Sequence, residues 1–253
     1  MISLGITTFC RRYEMLEKMI ENIKRFSPDV EIILIVNADY RIDFNEQYRK
    51  NILGLCERFT KIYPVIFPQF TGLSKMWNTI VLNATNEYIC ILNDDLDIRV
   101  DIVAVVEKII SEMKKPSDLF VKVNNSFSHF ICTKKVIDDL GYFDERLLAF
   151  GEEDGDMTWR YIKKFRRKIK SVDIEGINNI GEGYMTPHPN MKLKEVNQER
   201  LVPAFNRNFI FHKKYGRSIW GIRGMFPWRM RQKLSDKIQY PYEKFKRKHF
   251  DSL

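Results

Sequence analysis

Apolar positions along the first half of the chain follow two alternating patterns. A nearly continuous apolar run covers residues 31–36, a pattern typical of a strand buried on both faces of a parallel sheet. Ile2–Phe9 and residues 88–92 are further strand-like runs. Between these runs, apolar residues recur every three or four positions, which is the spacing of a helix with one buried face. The chain therefore begins with strand, helix and strand, and the alternation continues to residue 92.

The same patterns predict the other elements of residues 1–175. Helices are predicted around 16–26, over 46–59, around 73–80 and around 102–113, and further strands at 65–67, 120–123 and 130–132. Strands that alternate with helices of this length imply right-handed crossovers and an open α/β sheet. The ligand crevice of such a sheet lies at the carboxyl ends of its strands.

Three carboxylates, Asp94, Asp95 and Asp97, follow directly after the strand predicted at 88–92. Crowding like charges in this way costs free energy unless a cation or an opposing charge lies among them. Mg²⁺ and Mn²⁺ suit hard oxygen ligands, and Mg²⁺ is usually bound by one or two carboxylates together with substrate phosphates. A solvated acidic turn is the alternative, and these residues alone leave both interpretations open.

A second acidic cluster precedes a run with helical character that begins at Met157. Its members are Glu152, Glu153, Asp154 and Asp156. Acidic residues at a helix start favour the macrodipole and cap free backbone N–H groups, which explains one or two of the four. A carboxylate within hydrogen-bond reach of a substrate hydroxyl can instead act as a general base.

Composition places the chain among folded globular proteins. It has 253 residues, of which 44% are hydrophobic and 30% charged, enough for one large domain or a domain with an appendage. No apolar run approaches the roughly 18 residues that span a bilayer, and the start lacks the pattern of a secretory signal. We expect a cytoplasmic protein. The four cysteines lack metal-site spacing and are expected to be reduced core or near-core thiols: Cys10, Cys56, Cys90 and Cys132.

The positive charge is concentrated at the end of the sequence. The net charge is +9, and residues 217–253 contain ten Lys or Arg against three Asp or Glu. Aromatic and apolar residues are interleaved with these charges, which suits the interface of an anionic membrane. Nucleic acid is a competing partner, and an amphipathic helix packed on the main domain is a third interpretation. Pro227 and Pro241 exclude one long uninterrupted helix.

The alternating strands and helices and the two acidic clusters, taken in this order, resemble family 2 glycosyltransferases. These are inverting enzymes with the GT-A fold and are common in the assembly of bacterial cell-surface polysaccharides. The resemblance covers most of residues 1–175. It implies a Rossmann-like, mostly parallel central sheet flanked by helices. It also implies a nucleotide-sugar donor site at the motifs of the first 95 residues, formed by Thr7, Thr8, Phe9, Arg11, Asn37, Asp39, Gly72, Lys75, Asn78, Asn93 and Asp94.

The metal motif of the family, Asp-x-Asp, matches this chain in two registers. Asn93-Asp94-Asp95 places Asn93 where the family usually has its first Asp, and Asp95-Leu96-Asp97 matches directly. Asp95 is the central ligand in both registers, with Asp97 as the second ligand in one. The resemblance therefore implies a divalent metal cofactor, Mn²⁺ or Mg²⁺.

The acceptor side carries the most specific match. The family pattern Gly-x-Phe-Asp-Glu, then Glu-Asp-x-Asp and Arg, is matched by residues 141–145, 153–156 and Arg160. The resemblance implies that Asp154 is the catalytic base, with Glu153 as a supporting residue. It places Trp159 and Arg160 at the acceptor, which is expected to be a glycan or a lipid-linked intermediate.

The resulting prediction is a GT-A catalytic domain over 1–216, with a nucleotide-sugar half at 1–98 and an acceptor half at 99–216. Residues 217–253 would be a helical, basic and aromatic extension that places the enzyme at the cytoplasmic face of the membrane. A sugar nucleotidyltransferase is an alternative, although residues 1–15 contain only Gly5 where a glycine-rich phosphate loop is expected. A nonenzymatic nucleic-acid or membrane-surface binding protein would leave Asp95, Glu153 and Asp154 without a role. The sequence carries no signal for an oligomeric state.

Overall fold

The computed structural model describes residues 1–9, 13–38, 44–113, 115, 119–147, 151–180 and 206. Its helices are α1 Tyr13–Phe26, α2 Glu46–Arg58, α3 Leu73–Asn83, α4 Ile102–Ser111, α5 Lys134–Leu140 and α6 Glu153–Phe165. Its strands are β1 Ile2–Phe9, β2 Glu31–Asn37, β3 Ile62–Phe67, β4 Tyr88–Asn93, β5 Leu96–Ile98, β6 Phe120–Val123, β7 Ser126–Thr133, β8 Lys170–Val172 and β9 Ile177–Asn179.

Seven strands form one mostly parallel central sheet in the order β3-β2-β1-β4-β7-β6-β8. The four strands β3, β2, β1 and β4 are parallel, and β7 is antiparallel to both β4 and β6. The strand order reverses at β1, because β2 and β3 lie on one side of it and β4 on the other. The carboxyl ends of β1 and β4 therefore flank the crevice in which such sheets bind ligands.

Both faces of the sheet are covered by helices, as the unbroken apolar strands require. One face packs against α1, α2 and α4, with Leu16, Ile52 and Val106 fully buried. The other packs against α3, α5 and α6, where Trp77 and Tyr161 belong to an aromatic cluster. The predicted α/β fold is confirmed.

A glycine on β1 allows α3 to approach the sheet closely. A Cβ atom at Gly5 would lie 2.2 Å from Cγ2 of Ile80, well inside van der Waals contact. Any side chain at Gly5 would therefore push α3 away from β1. Because Gly72, Lys75 and Asn78 lie at or within α3, this contact fixes the distance of three predicted site residues from the sheet.

The predicted elements of residues 1–110 correspond to the observed ones, with β3 beginning earlier than expected. Four elements were not predicted: β5, α5, β8 and β9. Three of them are three-residue strands, too short for an apolar period to be visible, and β5 and β9 pair only with each other. Helix α6 begins at Glu153, so most of the second acidic cluster lies within its first turn.

The remaining general expectations concern thiols and membrane spans. Cys90 and Cys132 are free and fully buried, Cys56 is free and half-buried, and Cys10 lies outside the described residues. Burial raises the pKa of the Cys90 thiol to about 12, so this thiol stays protonated and packs as an apolar group. Among the helices in the described ranges, none has the length and apolarity needed to cross a bilayer.

Candidate active site

Two threonines join the carboxyl ends of β1 and β4. Thr7 is opposite Asn93 in the parallel register, and its hydroxyl donates to Oδ1 of Asn93 at 3.2 Å. Thr8 Oγ1 donates to Oδ2 of Asp94 at 2.7 Å and lies 2.6 Å from the Tyr48 hydroxyl. An ionised carboxylate only accepts, so the Thr8 proton points to Asp94 and Tyr48 donates to Thr8. These hydrogen bonds connect α2, β1 and the end of β4 at the crevice.

The three acids after β4 have different surroundings. Asp94 is buried, with 4% of its surface exposed, and is held by Thr8. Asp97 lies in β5 and forms an ion pair with Arg99 at 2.6 Å. Asp95 lies between them, half-buried, and its backbone carbonyl accepts from the N–H of Ile180 at 2.9 Å.

The charge of Asp95 acts on a buried histidine of the neighbouring strand β7. Burial lowers the pKa of His129, and the charge of Asp95 opposes that change. His129 is 3% exposed and lies on β7, one residue before Phe130, which pairs with Ile91 of β4. Asp95 therefore interacts electrostatically with an imidazole buried in the sheet.

No metal-binding cluster is preformed in the described ranges: they contain no group of three or more His, Cys, Asp or Glu side chains arranged to hold an ion. The carboxylate of Asp94 is used within the fold and that of Asp97 is paired with Arg99. The donor set fits an ion held by the carboxylate of Asp95 and completed by phosphate oxygens of a ligand, which is the usual way in which Mg²⁺ is bound. The metal roles of Asp95 and Asp97 stay predictions.

The end of β2 holds the loop that leads into α3. The Asn37 amide donates to the carbonyl of Thr71 at 2.8 Å and accepts from its N–H at 2.9 Å. This pair of bonds fixes the position of Gly72, the N-cap of α3. Gly72 has no side chain to cap the helix, and the Lys75 N–H donates to the carbonyl of Gly72 at 3.1 Å. N–H groups at a helix start that no side chain caps can bind phosphate.

Lys75 contributes a positive charge near the start of α3. It is exposed in the first turn of α3, and its Nζ lies 5.4 Å from the centre of the Phe67 ring at the end of β3. Phe9 stacks on Phe70, with ring centres 6.3 Å apart. The ends of β1 and β3 are thus covered by aromatic rings beside a lysine, which suits a nucleotide with a charged diphosphate.

Asn78 connects α3 to the predicted acceptor motif. Its side-chain NH₂ donates to the carbonyl of Phe143 and to Oε1 of Glu145, both at 2.9 Å, and its Oδ1 accepts from the N–H of Phe143 at 2.9 Å. These bonds account for both amide protons of a buried side chain. Asn78 therefore links α3 to residues 143–145. Its predicted role at the nucleotide-sugar donor stays a prediction.

Glu153 of the second cluster is buried at the start of α6. The chain enters α6 through positive φ angles at Gly151 and Glu152. Glu153 is buried, and its Oε2 accepts from the N–H of Gly151 at 2.6 Å. Burial raises the pKa of Glu153 to about 7; its own N–H and that of Gly151 oppose the rise, and the charge of Asp154 adds to it.

Asp156 and Arg160 form an internal ion pair. Asp156 is fully buried, and the Arg160 guanidinium donates to its Oδ2 at 2.8 and 3.0 Å. Arg160 also donates to the carbonyls of Leu140 and Gly141 at the end of α5. Arg160 therefore binds α6 to the 141–145 loop, and its predicted acceptor contact stays a prediction.

Asp154 is the acid of this cluster that faces a cavity. The cavity has a volume of about 470 Å³ and lies between α6 and the hairpin of β6 and β7. It is lined by Lys122, Asn125, Phe127, Asp154, Gly155, Thr158, Trp159, Ile162, Lys168 and Ile169. Asp154 and Trp159, both predicted from the sequence, thus share one cavity with residues that the motifs did not indicate.

The two acidic clusters lie at the same edge of the fold. Strands β4 and β6 are each antiparallel to β7, so they run in the same direction. Asp95 follows the carboxyl end of β4, and Asn125, which lines the cavity with Asp154, follows the carboxyl end of β6. The fold therefore brings the predicted donor and acceptor residues to one edge of the sheet.

Several predicted residues fall outside the described ranges: Arg11, Asp39 and the extension 217–253. Other residues of the site were not predicted, namely Tyr48, His129, Phe127 and Asn206. Asn206 donates to the carbonyl of Gly151 at 2.8 Å, so a residue distant in sequence supports the turn into α6. Contacts over such separations leave no local pattern in a sequence. Alternation along β7 would have placed Phe127 on the face opposite Phe130, whereas both pack on the α6 side because the pairing of β6 with β7 is irregular at this point.

Comparison with known proteins agrees with this geometry. Residues 3–125 match the family model described as Glycosyl transferase family 2. No curated protein matches the chain. Among solved structures, the mannosyltransferase PcManGT from Pyrobaculum calidifontis, in complex with GDP-Man and Mn²⁺, is 11% identical and aligns over 96% of this chain and 82% of its own, with a TM-score of 0.60.

Two further structures are similar over a part of their own length. TarS from S. aureus is 12% identical over 89% of this chain and 46% of its own, with a TM-score of 0.51. GalNAc-T7 with UDP, GalNAc and Mn²⁺ is 11% identical over 98% of this chain and 57% of its own, with a TM-score of 0.50. The chain has the GT-A fold, and the family match over 3–125 supports a glycosyltransferase.

Proposed function

We propose that the chain is an inverting, metal-dependent glycosyltransferase of the hexosyl or deoxyhexosyl class. It would move a sugar from a nucleotide-diphosphate donor to a hydroxyl of a glycan or lipid-linked acceptor. The observation that carries the proposal is the position of Asp154, which lines a cavity at the same sheet edge as Asp95. The solved structures with GDP-Man and Mn²⁺, or with UDP and Mn²⁺, support a nucleotide-sugar donor and a divalent ion.

On the donor side, the ends of β1, β2 and β4 would bind the nucleotide. The N–H groups at the start of α3 and the Lys75 ammonium would bind its diphosphate, since both are positive and α3 begins shortly after the carboxyl end of β3. Asp95 would hold the metal ion, which when bound neutralises charge on the leaving phosphate. Thr8 and Asp94 keep the Asp95 loop fixed to β1.

On the acceptor side, Asp154 would take the proton of the attacking hydroxyl as the new bond forms. A single displacement from the face opposite the leaving group inverts the configuration of the anomeric carbon. Glu153 would support this step by holding the N–H of Gly151 and so fixing the turn that places Asp154. Trp159 would pack against the acceptor sugar in the cavity.

The domain division 1–216 and 217–253 stays part of the proposal, with the basic extension bound to an anionic membrane surface. Replacing Lys246, Arg247 and Lys248 by Glu in the full chain is expected to lower binding to phosphatidylserine vesicles while leaving nucleotide affinity unchanged. Vesicle sedimentation measures the first quantity. Equal sedimentation of the two proteins would contradict the membrane role.

The stereochemistry of donor turnover tests the catalytic proposal. Glycosyltransferases can transfer the donor sugar to water when no acceptor is present, and proton NMR shows the anomeric configuration of the sugar at the moment of release. We expect a released sugar of inverted configuration, formed with Mn²⁺ and not with EDTA. Release with retained configuration would contradict a single displacement with Asp154 as base.

A further inference from the structure

We infer that the cavity beside Asp154 selects an acceptor sugar that carries its own negative charge, as a carboxylate or a phosphate. The inference rests on the proposed transferase function and deepens it by naming the chemical class of the acceptor. Its basis is the combination of aromatic and cationic side chains around one carboxylate, that of the proposed base Asp154. Neither the motifs nor the family match assigns Lys122 or Lys168 a role.

The walls of the cavity are suited to a sugar ring. Trp159 comes from α6, and Phe127 comes from the start of β7 and packs against Phe120 and Trp77. Aromatic faces bind the apolar C–H faces of sugar rings while leaving the hydroxyl groups at the edge of the ring accessible. The volume of about 470 Å³ accommodates a ligand of one or two rings.

The charges of the cavity are unbalanced once Asp154 is used as the base. The ionisable side chains that line it are Asp154, Lys122 and Lys168, two cations against one anion. Lys122 donates to Oδ1 of Asn125 at 3.1 Å, a neutral partner that orients the ammonium without cancelling its charge. A neutral sugar would leave this excess of positive charge unbalanced, whereas an anionic one would balance it.

A segment of the chain's own basic extension is a poor alternative occupant. Residues 217–253 contain ten Lys or Arg and three Asp or Glu, so their charge has the same sign as the excess in the cavity. Electrostatic complementarity therefore favours a small anionic ligand.

Titration with four probes tests the inference in the absence of donor. The probes are methyl glucoside, methyl glucuronide, glucose 6-phosphate and inorganic phosphate, followed by the change in tryptophan fluorescence of the full chain. We expect both anionic sugars to bind at least about tenfold more tightly than methyl glucoside, as one charge-assisted contact predicts. The glucuronide and phosphate arms show which anion is preferred, and inorganic phosphate alone is expected to bind more weakly than glucose 6-phosphate.

Variants distinguish this cavity from other sites. Lys168→Ala is expected to remove most of the preference for anionic sugars. Trp159→Phe is expected to remove the change in tryptophan fluorescence on sugar binding. Lys163→Ala makes the same charge change on α6 outside the cavity lining and is expected to bind like the parent. Equal affinity for neutral and anionic sugars, no binding of any sugar, or a preference that survives Lys168→Ala would overturn the inference.

The outcome can be separated from that of the proposed function. Donor-site binding is measured independently with nucleoside diphosphates, which Lys168→Ala is expected to leave unchanged. If nucleotides bind and turn over but the anionic sugars show no preference, the acceptor class is wrong and the transferase stands. If no nucleotide binds while anionic sugars do, the cavity is a sugar site and the transferase proposal fails.

Discussion

The two acidic clusters use their carboxylates in different ways. After β4, Asp94 is held by the hydroxyl of Thr8, which lies 86 residues away in the sequence. At the start of α6, Asp156 pairs with Arg160 one helical turn away, and Glu153 accepts from Gly151. Within each cluster, some acids are used in contacts within the fold, and one lies where ligand chemistry is proposed. The first cluster is tied to the sheet through Thr8 of β1. The second combines contacts within a few residues with the bonds of Arg160 to the end of α5 and of Asn206 to Gly151.

The largest expected effect separates the acid in the cavity from its buried neighbours. Asp154→Asn should lower donor turnover about a thousandfold, because a missing general base removes assistance to proton transfer, while nucleotide affinity stays the same. Release of nucleoside diphosphate from the donor measures turnover. Asp173→Asn, an exposed acid outside both clusters, is the control and should turn over normally. Normal turnover by Asp154→Asn would show that the base assignment is wrong.

The buried ion pair should dominate the stability of the second cluster. Asp156→Asn is expected to lower the free energy of unfolding by about 3 kcal/mol, because it leaves the mostly buried Arg160 guanidinium without its carboxylate. Urea denaturation measures the change. Asp139→Asn removes a partner of the exposed Lys135 and Lys164 and should have a much smaller effect. A comparable loss in both variants would mean that burial of the pair is not what stabilises α6.

The acids of the first cluster should differ in how much they contribute to Mn²⁺-dependent nucleotide binding. Asp95→Ala is expected to weaken Mn²⁺-dependent nucleotide binding about thirtyfold, within the range for lost support of a metal site. Asp97→Ala should have a smaller effect, because its carboxylate is paired with Arg99. Calorimetry with Mn²⁺ and with EDTA compares the two. A larger loss in Asp97→Ala would favour the register Asp95-Leu96-Asp97 with Asp97 as the main ligand.

The smallest expected effect depends on pH and concerns Glu153. Its pKa is raised from 4.5 to about 7 in the folded state, so the folded protein binds more protons than the unfolded one between these values. Stability therefore falls as pH rises through this window, and the loss is complete above about pH 7. The substitution Glu153→Gln changes the free energy of unfolding, and we expect that change to be about 2 kcal/mol more favourable at pH 8 than at pH 5. Thermal unfolding at the two pH values measures this, and an effect independent of pH would contradict it.

The sequence located both clusters but not the roles of their members. Apolar periodicity predicted β1, β2, β4 and α1 to α4, because long elements buried on one or both faces repeat their pattern. It could not show that Asn78 would hold the backbone of Phe143, which is 65 residues away. Nor could it show that Arg160 would bind the carbonyls at the end of α5. Such assignments depend on tertiary contacts between polar groups, and a motif gives only their order along the chain.

The measurement that tests the central claim most directly is calorimetric titration of the full chain with UDP, GDP, dTDP and CDP, each with Mn²⁺ and with EDTA. It requires no knowledge of the acceptor. We expect that one of these nucleotides binds in the presence of Mn²⁺, that EDTA abolishes the binding, and that Asp154→Asn retains it. Absence of binding for all four with Mn²⁺, or binding unaffected by EDTA, would contradict a metal-dependent nucleotide site at the end of β4.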